Sequence, residues 1–259
     1  MGICKLCLHE KELLKKSHIV PDFMYERLFY PKGLSNKKYK KKEKIYMIKF
    51  EDNNLRLTNN NVQTSPKEPD IICHGCDEVI LSQLENYFKT NLLNCVRESY
   101  KNIKSSSKEI EVIFDVDYQK IKLFFLSLFW RFSISNNYDY NVIDLGEHQE
   151  IIRKMILENY PKGDHDYPFF LFSFLNRDNF FKDEPVTRLS MFLDIKEINQ
   201  GKEYWILFPD LILCLQITSM IDDHFINKYF RGNDKVPVFY YPEKILKNII
   251  NNRLKKPVF

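Results

Sequence analysis

Apolar side chains recur every three or four residues in several stretches of the chain, and this spacing predicts helices. The clearest such stretch covers residues 77–96. Asp117 can cap a second helix that continues to residue 133. Further helices are predicted over 147–159 and 244–254, and Pro21 begins a short amphipathic one.

Other stretches alternate apolar and polar residues, or are short apolar runs between turn residues, and these predict strands. Residues 45–50 and 55–57 flank an Asp-Asn-Asn turn and predict a hairpin. A further strand is predicted over 109–114. Four successive strands, antiparallel with tight turns, are then predicted over 168–175, 186–195, 204–208 and 211–218. Together these elements predict an α+β fold.

A polar stretch divides the chain into two predicted units. Residues 101–108 carry three consecutive serines among lysines and are the best candidate for a linker. Residues 1–96 would form a first module with a basic hairpin insert, and residues 109–259 a mixed α and antiparallel-β domain of unknown role. A chain of 259 residues with 44 % hydrophobic residues can form one large core or two modest ones.

Composition narrows the possible functions. The net charge of +4 is mildly basic, which permits nucleic-acid binding without demonstrating it. Glycine is scarce, at 7 residues, and the chain contains neither of the glycine-rich phosphate-binding motifs. The sequence lacks a signal-peptide pattern and any apolar stretch long enough to cross a bilayer, so a cytoplasmic protein without a membrane partner is expected.

Two C-x-x-C pairs, Cys4 with Cys7 and Cys73 with Cys76, carry the strongest chemical signal. Each pair can form a tight turn that directs both sulfurs at one ion, and two pairs complete the tetrahedron that structural zinc prefers. The alternative is that these are buried thiols without a metal. A closed four-thiolate site leaves no position for a water, so a catalytic zinc is disfavoured.

The order of these motifs resembles the HNH nuclease superfamily, whose members commonly read C-x-x-C, a D-H-I or related triplet with a nearby Pro, and a second C-x-x-C. Here the two knuckles enclose Ser17-His18-Ile19-Val20-Pro21. The resemblance covers the first third of the chain. It implies a treble-clef zinc scaffold of the ββα-metal type.

The resemblance also implies a catalytic site. His18 takes the position of the general base, which draws a proton from the water that attacks a phosphodiester. Asp77 would help to hold a catalytic divalent ion, Mg²⁺ or Mn²⁺. Ser17 stands where the superfamily has a metal-binding Asp, and Asp77 stands where it has His or Asn. The alternatives are a structural role for His18 and a helix-terminal charge for Asp77.

The chain is also similar to a set of uncharacterised bacterial proteins that pair an S-H-I-x-P zinc module with a downstream S-x-x-W-R-x-S helix. That second motif runs from Ser127 to Ser133 and includes Trp130 and Arg131. An arginine on an otherwise apolar helix needs either a carboxylate or a phosphate as its partner. Pairing with a core acid is the favoured interpretation.

A basic stretch within the first unit could neutralise a nucleic-acid backbone. The alternative is a solvated loop in a lysine-rich protein. The candidate nucleic-acid-binding residues are Lys37, Lys38, Lys40, Lys41, Lys42 and Lys44.

Two hypotheses about function follow from the sequence. The first is an HNH-like zinc protein that binds nucleic acid and, if it is an enzyme, hydrolyses it as a metal-dependent endonuclease; the resemblance suggests bacterial phage defence or a mobile element as the setting. The second is a non-catalytic, zinc-stabilised binding or scaffolding protein with a degenerate HNH site, whose C-terminal domain engages a protein partner.

Overall fold

The computed structural model describes residues 1–25, 48–51, 54–57, 65, 67–97, 110–136, 143–174, 192–198, 201–208, 211–218 and 234–241. The α+β class predicted from the sequence is confirmed within these residues. The predicted linker at 101–108 and the predicted helix at 244–254 lie outside them.

Short strand pairs organise the N-terminal part. Strands β1 (Gly2–Ile3) and β2 (Glu10–Lys11) pair antiparallel around the first cysteine knuckle. Strand β3 (Ser17–His18) leads into a 3-10 helix, Asp22–Tyr25. Strands β4 (Ile48–Glu51) and β5 (Asn54–Leu57) form the predicted hairpin. Strand β6 (Lys67–Glu68) returns antiparallel to β3.

The helix predicted over 77–96 is confirmed, but it is not a regular α-helix. Helix α1 covers 74–97 and contains an α-helical centre, Ser82–Tyr87, between two π-helical stretches, Cys76–Leu81 and Phe88–Leu93. In the widened turns the backbone N–H groups reach five residues back, as from Ser82 to Asp77. Such turns cannot be read from three- and four-residue spacing.

The second helix is the central element of the fold. Helix α2 (Tyr118–Ile134) begins at Asp117, whose side chain accepts a hydrogen bond from the Lys120 N–H, as the sequence predicts. Nearly every side chain along it is buried, because α2 is covered on more than one side. Towards α1, the rings of Phe124 and Phe88 stack with centroids 4.2 Å apart. Towards the sheet, Phe129 contacts Tyr204 edge to face.

A six-stranded sheet packs against α2. Its strands follow one another in space in the order β7-β12-β8-β11-β10-β9, and each neighbouring pair is antiparallel except β12 with β8, which is parallel. The bounds are β7 Ile110–Phe114, β8 Phe169–Phe174, β9 Phe192–Ile198, β10 Gly201–Leu207, β11 Leu211–Thr218 and β12 Lys235–Tyr241. Helix α3 (His148–Leu157) packs on α2.

The sheet departs from the sequence prediction in two ways. Strands β9, β10 and β11 form the predicted antiparallel succession, but β8 pairs with β11 and β12 rather than with β9. Strand β12 was not predicted, and it contains Pro237, which cannot donate to a neighbouring strand. The register explains why proline is tolerated: Pro237 lies opposite Val112 of β7, and β8 pairs with β12 only from Val238 onward.

The N-terminal part and the later elements share one hydrophobic core. Polar contacts reinforce it at the C-terminal end of α2. The Lys5 ammonium donates to the Ile134 carbonyl oxygen at 2.6 Å, and the buried Glu68 carboxylate accepts from the Ser135 hydroxyl at 2.5 Å and from the Asn136 backbone N–H at 2.8 Å. On the described part of the chain, no helix has the length and apolar character needed to span a membrane.

The aromatic contact between α1 and α2 gives a direct stability prediction. Phe124→Ala should lower the free energy of unfolding by about 3–5 kcal/mol, because it deletes a fully buried ring and leaves a cavity. Urea denaturation of the metal-loaded protein measures this. The matched control is Phe114→Ala, which removes a ring that is 62 % exposed and should cost less than about 1 kcal/mol. Equal losses for the two variants would contradict the packing described here.

Candidate metal centre and the adjoining histidine

Backbone turns from two distant segments bring the four motif cysteines together. The first knuckle is closed by hydrogen bonds from the Cys4 N–H to the His9 carbonyl and from the Leu8 N–H to the Cys4 carbonyl, with Leu8 in the left-handed conformation (φ 60°). Cys73 forms a β-bridge with Leu13, and Cys76 lies at the start of α1. The sulfur atoms of the four motif cysteines all lie within 4.8 Å of one another.

The geometry of this cluster fits a metal. A tetrahedral zinc with ligand bonds of about 2.3 Å places its sulfurs roughly 3.8 Å apart, and the Cys7 and Cys73 sulfurs are separated by 4.0 Å. The Cys73 backbone N–H also donates to the Cys4 sulfur at 3.3 Å, a contact that stabilises a thiolate. Four convergent sulfurs, three of them on buried residues, can hold an ion such as zinc.

The thiols of the cluster differ in how easily they ionise. Burial opposes ionisation of Cys4, but N–H groups of the nearby backbone, first that of Cys7, donate to its sulfur and lower its pKa to about 7. Burial raises the pKa of Cys73 and Cys76, and the neighbouring Cys4 charge adds to this. Four thiolates at this spacing therefore need a bound cation to ionise together.

Strand β3 presents Ser17 and His18 to opposite faces, as adjacent strand residues do. Ser17 is fully buried, and its hydroxyl donates to Asp77 Oδ1 at 3.3 Å. The His18 side chain is 31 % exposed, and its Nε2 lies 3.2 Å from Asp22 Oδ2. The structure thus pairs His18 with Asp22, while Asp77 contacts the buried side of the same strand.

Asp22 is a site residue that the sequence reasoning did not single out. Its Oδ1 accepts hydrogen bonds from the backbone N–H and hydroxyl of Ser65, and the Lys67 ammonium lies 3.7 Å from its Oδ2. Burial favours the neutral acid, but the Ser65 hydrogen bonds and the nearby His18 and Lys67 outweigh it, so the Asp22 pKa lies below its ordinary value. The sequence signal that could have indicated Asp22 is its position four residues after His18, with Pro21 between them.

Arg131 has the carboxylate partner that the sequence reasoning favoured. Its Nη1 lies 2.7 Å from Glu85 Oε1 on α1. The same nitrogen donates to the backbone carbonyl of His18 at 3.2 Å. The arginine of the second motif therefore contacts the backbone of the histidine in the first.

Another histidine lies within the second C-x-x-C pair. His74 is exposed between two of the cysteines and pairs with Glu78 at 3.1 Å. The lysines at 37–44 lie outside the described residues. Within the described ranges, the four cysteines are the one group of three or more metal-ligating side chains close enough to hold an ion. Comparisons of the chain with protein-family models, with curated proteins and with solved structures find no match.

The cluster generates a prediction about metal content. Freshly purified protein should contain about one zinc per chain, and Cys4→Ser should reduce this to near zero, because a closed tetrahedral site needs all four sulfurs. Adding zinc to the metal-free protein at about pH 8 should release protons from at least Cys73 and Cys76, whose pKa values are raised. Elemental analysis and a pH indicator measure the two effects.

The matched control is Cys95→Ser, a cysteine of α1 outside the cluster. This variant should keep its zinc. Wild-type protein without zinc, or equal loss from both serine variants, would contradict the assignment of the cluster as a metal centre.

Proposed function

We propose that this chain is an HNH-like, zinc-stabilised protein that binds nucleic acid and hydrolyses phosphodiester bonds, with His18 as general base. The observation that carries the proposal is the His18–Asp22 pair: a partly exposed imidazole held by an ionised carboxylate. His18 lies on the strand whose Ser17 contacts Asp77, the residue that follows Cys76. A histidine oriented in this way by a carboxylate is a recurrent arrangement for base catalysis.

The pair supports a defined protonation pattern. An ionised carboxylate only accepts hydrogen bonds, so the His18 nitrogen that faces Asp22 carries the proton in the neutral ring. The other nitrogen, Nδ1, is then the basic one and can take a proton from water. Lys67, 3.7 Å from Asp22 and partly exposed, adds a cation that can attract a phosphate.

The order of elements supports the resemblance to the HNH superfamily. Strands β3 and β6 pair antiparallel and are followed in the chain by α1. The second cysteine pair lies where β6 gives way to that helix. With the β4–β5 hairpin inserted between the two paired strands, this arrangement is compatible with the ββα-metal type that the resemblance implies.

A divalent ion such as Mg²⁺ or Mn²⁺, when bound, would stabilise the negative charge on the phosphate and the leaving oxygen. Both oxygens of Asp22 are already engaged, Oδ1 by Ser65 and Oδ2 by His18 and Lys67, so Asp22 serves to orient the ring rather than to hold this ion. Asp77, the residue taken from the resemblance, accepts the hydrogen bond of the buried Ser17.

That Ser17–Asp77 contact favours the second candidate function. In a degenerate site the carboxylate is used to fix β3 on α1, and the chain serves as a zinc-stabilised binding or scaffolding protein. A protein partner for the C-terminal domain belongs to this alternative.

A nuclease assay separates the two functions. In Mg²⁺ or Mn²⁺, the wild type should cut DNA or RNA, and His18→Ala should slow cleavage by roughly 10²- to 10⁴-fold because the base is lost. Asp22→Asn should slow it by about 10- to 100-fold, since the ring loses its orienting carboxylate. The control His74→Ala changes an exposed histidine of the same module and should cut at the wild-type rate. A wild type that cuts neither substrate, or a His18→Ala variant as active as wild type, would exclude His18-based catalysis.

Nucleic-acid binding itself can be tested at the basic stretch. Replacing Lys40, Lys41 and Lys42 by Gln should weaken binding and reduce the slope of log K against log salt by about two to three, as three phosphate contacts are lost. The charge-matched control replaces Lys101, Lys104 and Lys108. Fluorescence anisotropy across a salt series measures both, and equal effects would assign binding to net charge rather than to this stretch.

A further inference from the structure

Hydrogen bonds from all three of its nitrogens hold the guanidinium of Arg131 in place. It is fully buried on α2, where Nη1 contacts both Glu85 Oε1 at 2.7 Å and the His18 carbonyl oxygen at 3.2 Å. Its Nε donates to the backbone carbonyl of Ser127 and its Nη2 to the Ser127 hydroxyl, both at 3.3 Å. The planar fork thus joins α1, α2 and β3 through one rigid group.

On β3, Arg131 contacts the backbone of His18, the proposed general base. Strand β3 has only two residues, and a strand pair of this length has little stability of its own. Holding the carbonyl of His18 fixes the peptide plane next to its side chain. The direction of the imidazole towards Asp22 then depends on α2 as well as on the β3–β6 pairing.

We infer that Arg131 is a positioning residue for His18, which it holds in register with Asp22 from the helix of the second motif. The effect on catalysis rests on the function proposed above, whereas the positioning of the imidazole does not. This role gives a physical reason for the two motifs to occur in one chain, since one supplies the histidine and the other fixes its backbone.

A second arginine provides a matched control. Arg153 of α3 is also buried, donates to the backbone carbonyl of Leu6 in the first knuckle and pairs with Glu150 through two nitrogens, at 2.6 and 2.8 Å. It contacts the same module through the same kinds of bond, but none of these contacts involves His18. A variant of Arg153 therefore loosens the module while the Arg131–His18 contact stays intact.

The experiment follows the Hε1–Cε1 resonance of His18 in full-length, zinc-loaded protein with ¹³C-labelled histidine. The signal is assigned by its loss in His18→Gln. The test variants are Arg131→Lys and the double variant Arg131→Met with Glu85→Gln. The double variant removes both charges, so no unpaired carboxylate is left buried. Arg153→Lys is the control, and zinc content with thermal unfolding establishes that each variant is folded.

A positioning role predicts that both Arg131 variants shift or broaden the His18 resonance and leave the other histidine resonances in place, while Arg153→Lys leaves His18 unchanged. A purely structural ion pair predicts instead that the folded double variant shows the wild-type His18 resonance. That result would overturn the inference. If the double variant does not fold, Arg131→Lys decides by the same criterion.

Kinetics separate this inference from the proposed function. If His18 is the base, the folded Arg131 variants should lose roughly 10- to 100-fold in kcat with KM nearly unchanged, because a small misplacement of the base affects the chemical step. A moved His18 resonance in a chain without nuclease activity would uphold the positioning and reject the enzyme. The opposite result is also possible: nuclease activity depends on His18, but Arg131→Lys keeps both the wild-type His18 resonance and the wild-type kcat. That result would reject the positioning role of Arg131 and leave the proposed function intact.

Discussion

The convergence of four sulfurs is the constraint on which the N-terminal part of this protein depends. Cys4 and Cys73 are separated by most of the module in sequence, and they meet because the first knuckle, the β-bridge at Leu13 and the start of α1 each position one part of the cluster. The strand pairs β1–β2 and β3–β6 are only two residues long, too short to hold these segments alone. A bound metal would supply the missing free energy and link strand, knuckle and helix in one unit.

Helices α2 and α3 add buried contacts that hold the cysteine module in place. Arg131 and Arg153 each place a buried guanidinium on a backbone carbonyl of the module and balance its charge with a glutamate. Lys5 and Glu68 make the reciprocal contacts from the module to the end of α2. Buried charges are costly unless they are paired or hydrogen-bonded. The two arginines are paired with glutamates, and Lys5 and Glu68 hydrogen-bond to neutral groups at the end of α2. The consequence is that His18 is held from two sides, by Asp22 through its ring and by Arg131 through its carbonyl.

Much of this arrangement could be predicted from the sequence, because it depends on local patterns. The spacing of the cysteines indicated one cluster, apolar periodicity located α1 and α2, and Asp117 marked the start of α2. The need of a buried arginine for a carboxylate was also predicted correctly for Arg131. The helices and the cap follow from patterns within a few residues along the chain, whereas the cysteine cluster and the arginine pair follow from the chemical needs of those side chains.

What could not be predicted depends on contacts between distant segments. Strand β12 contains a proline, which argues against a strand until its partners are known. Strand β8 pairs with β11 and β12, which are far from it in sequence, so its neighbours cannot be read from local patterns. Asp22 gained its role from Ser65 and Lys67, which pairing of β3 with β6 brings near. The resemblance pointed to Asp77 by its position after Cys76, whereas the hydrogen bond of Ser17 determines what that carboxylate contacts.

X-ray absorption at the zinc edge reports which atoms bind the metal rather than how much metal is present. Wild-type protein should show a single shell of four sulfur scatterers at about 2.3 Å. A shell with nitrogen or oxygen ligands at about 2.0–2.1 Å would contradict this expectation, because the metal would then be held by groups other than the four cysteines.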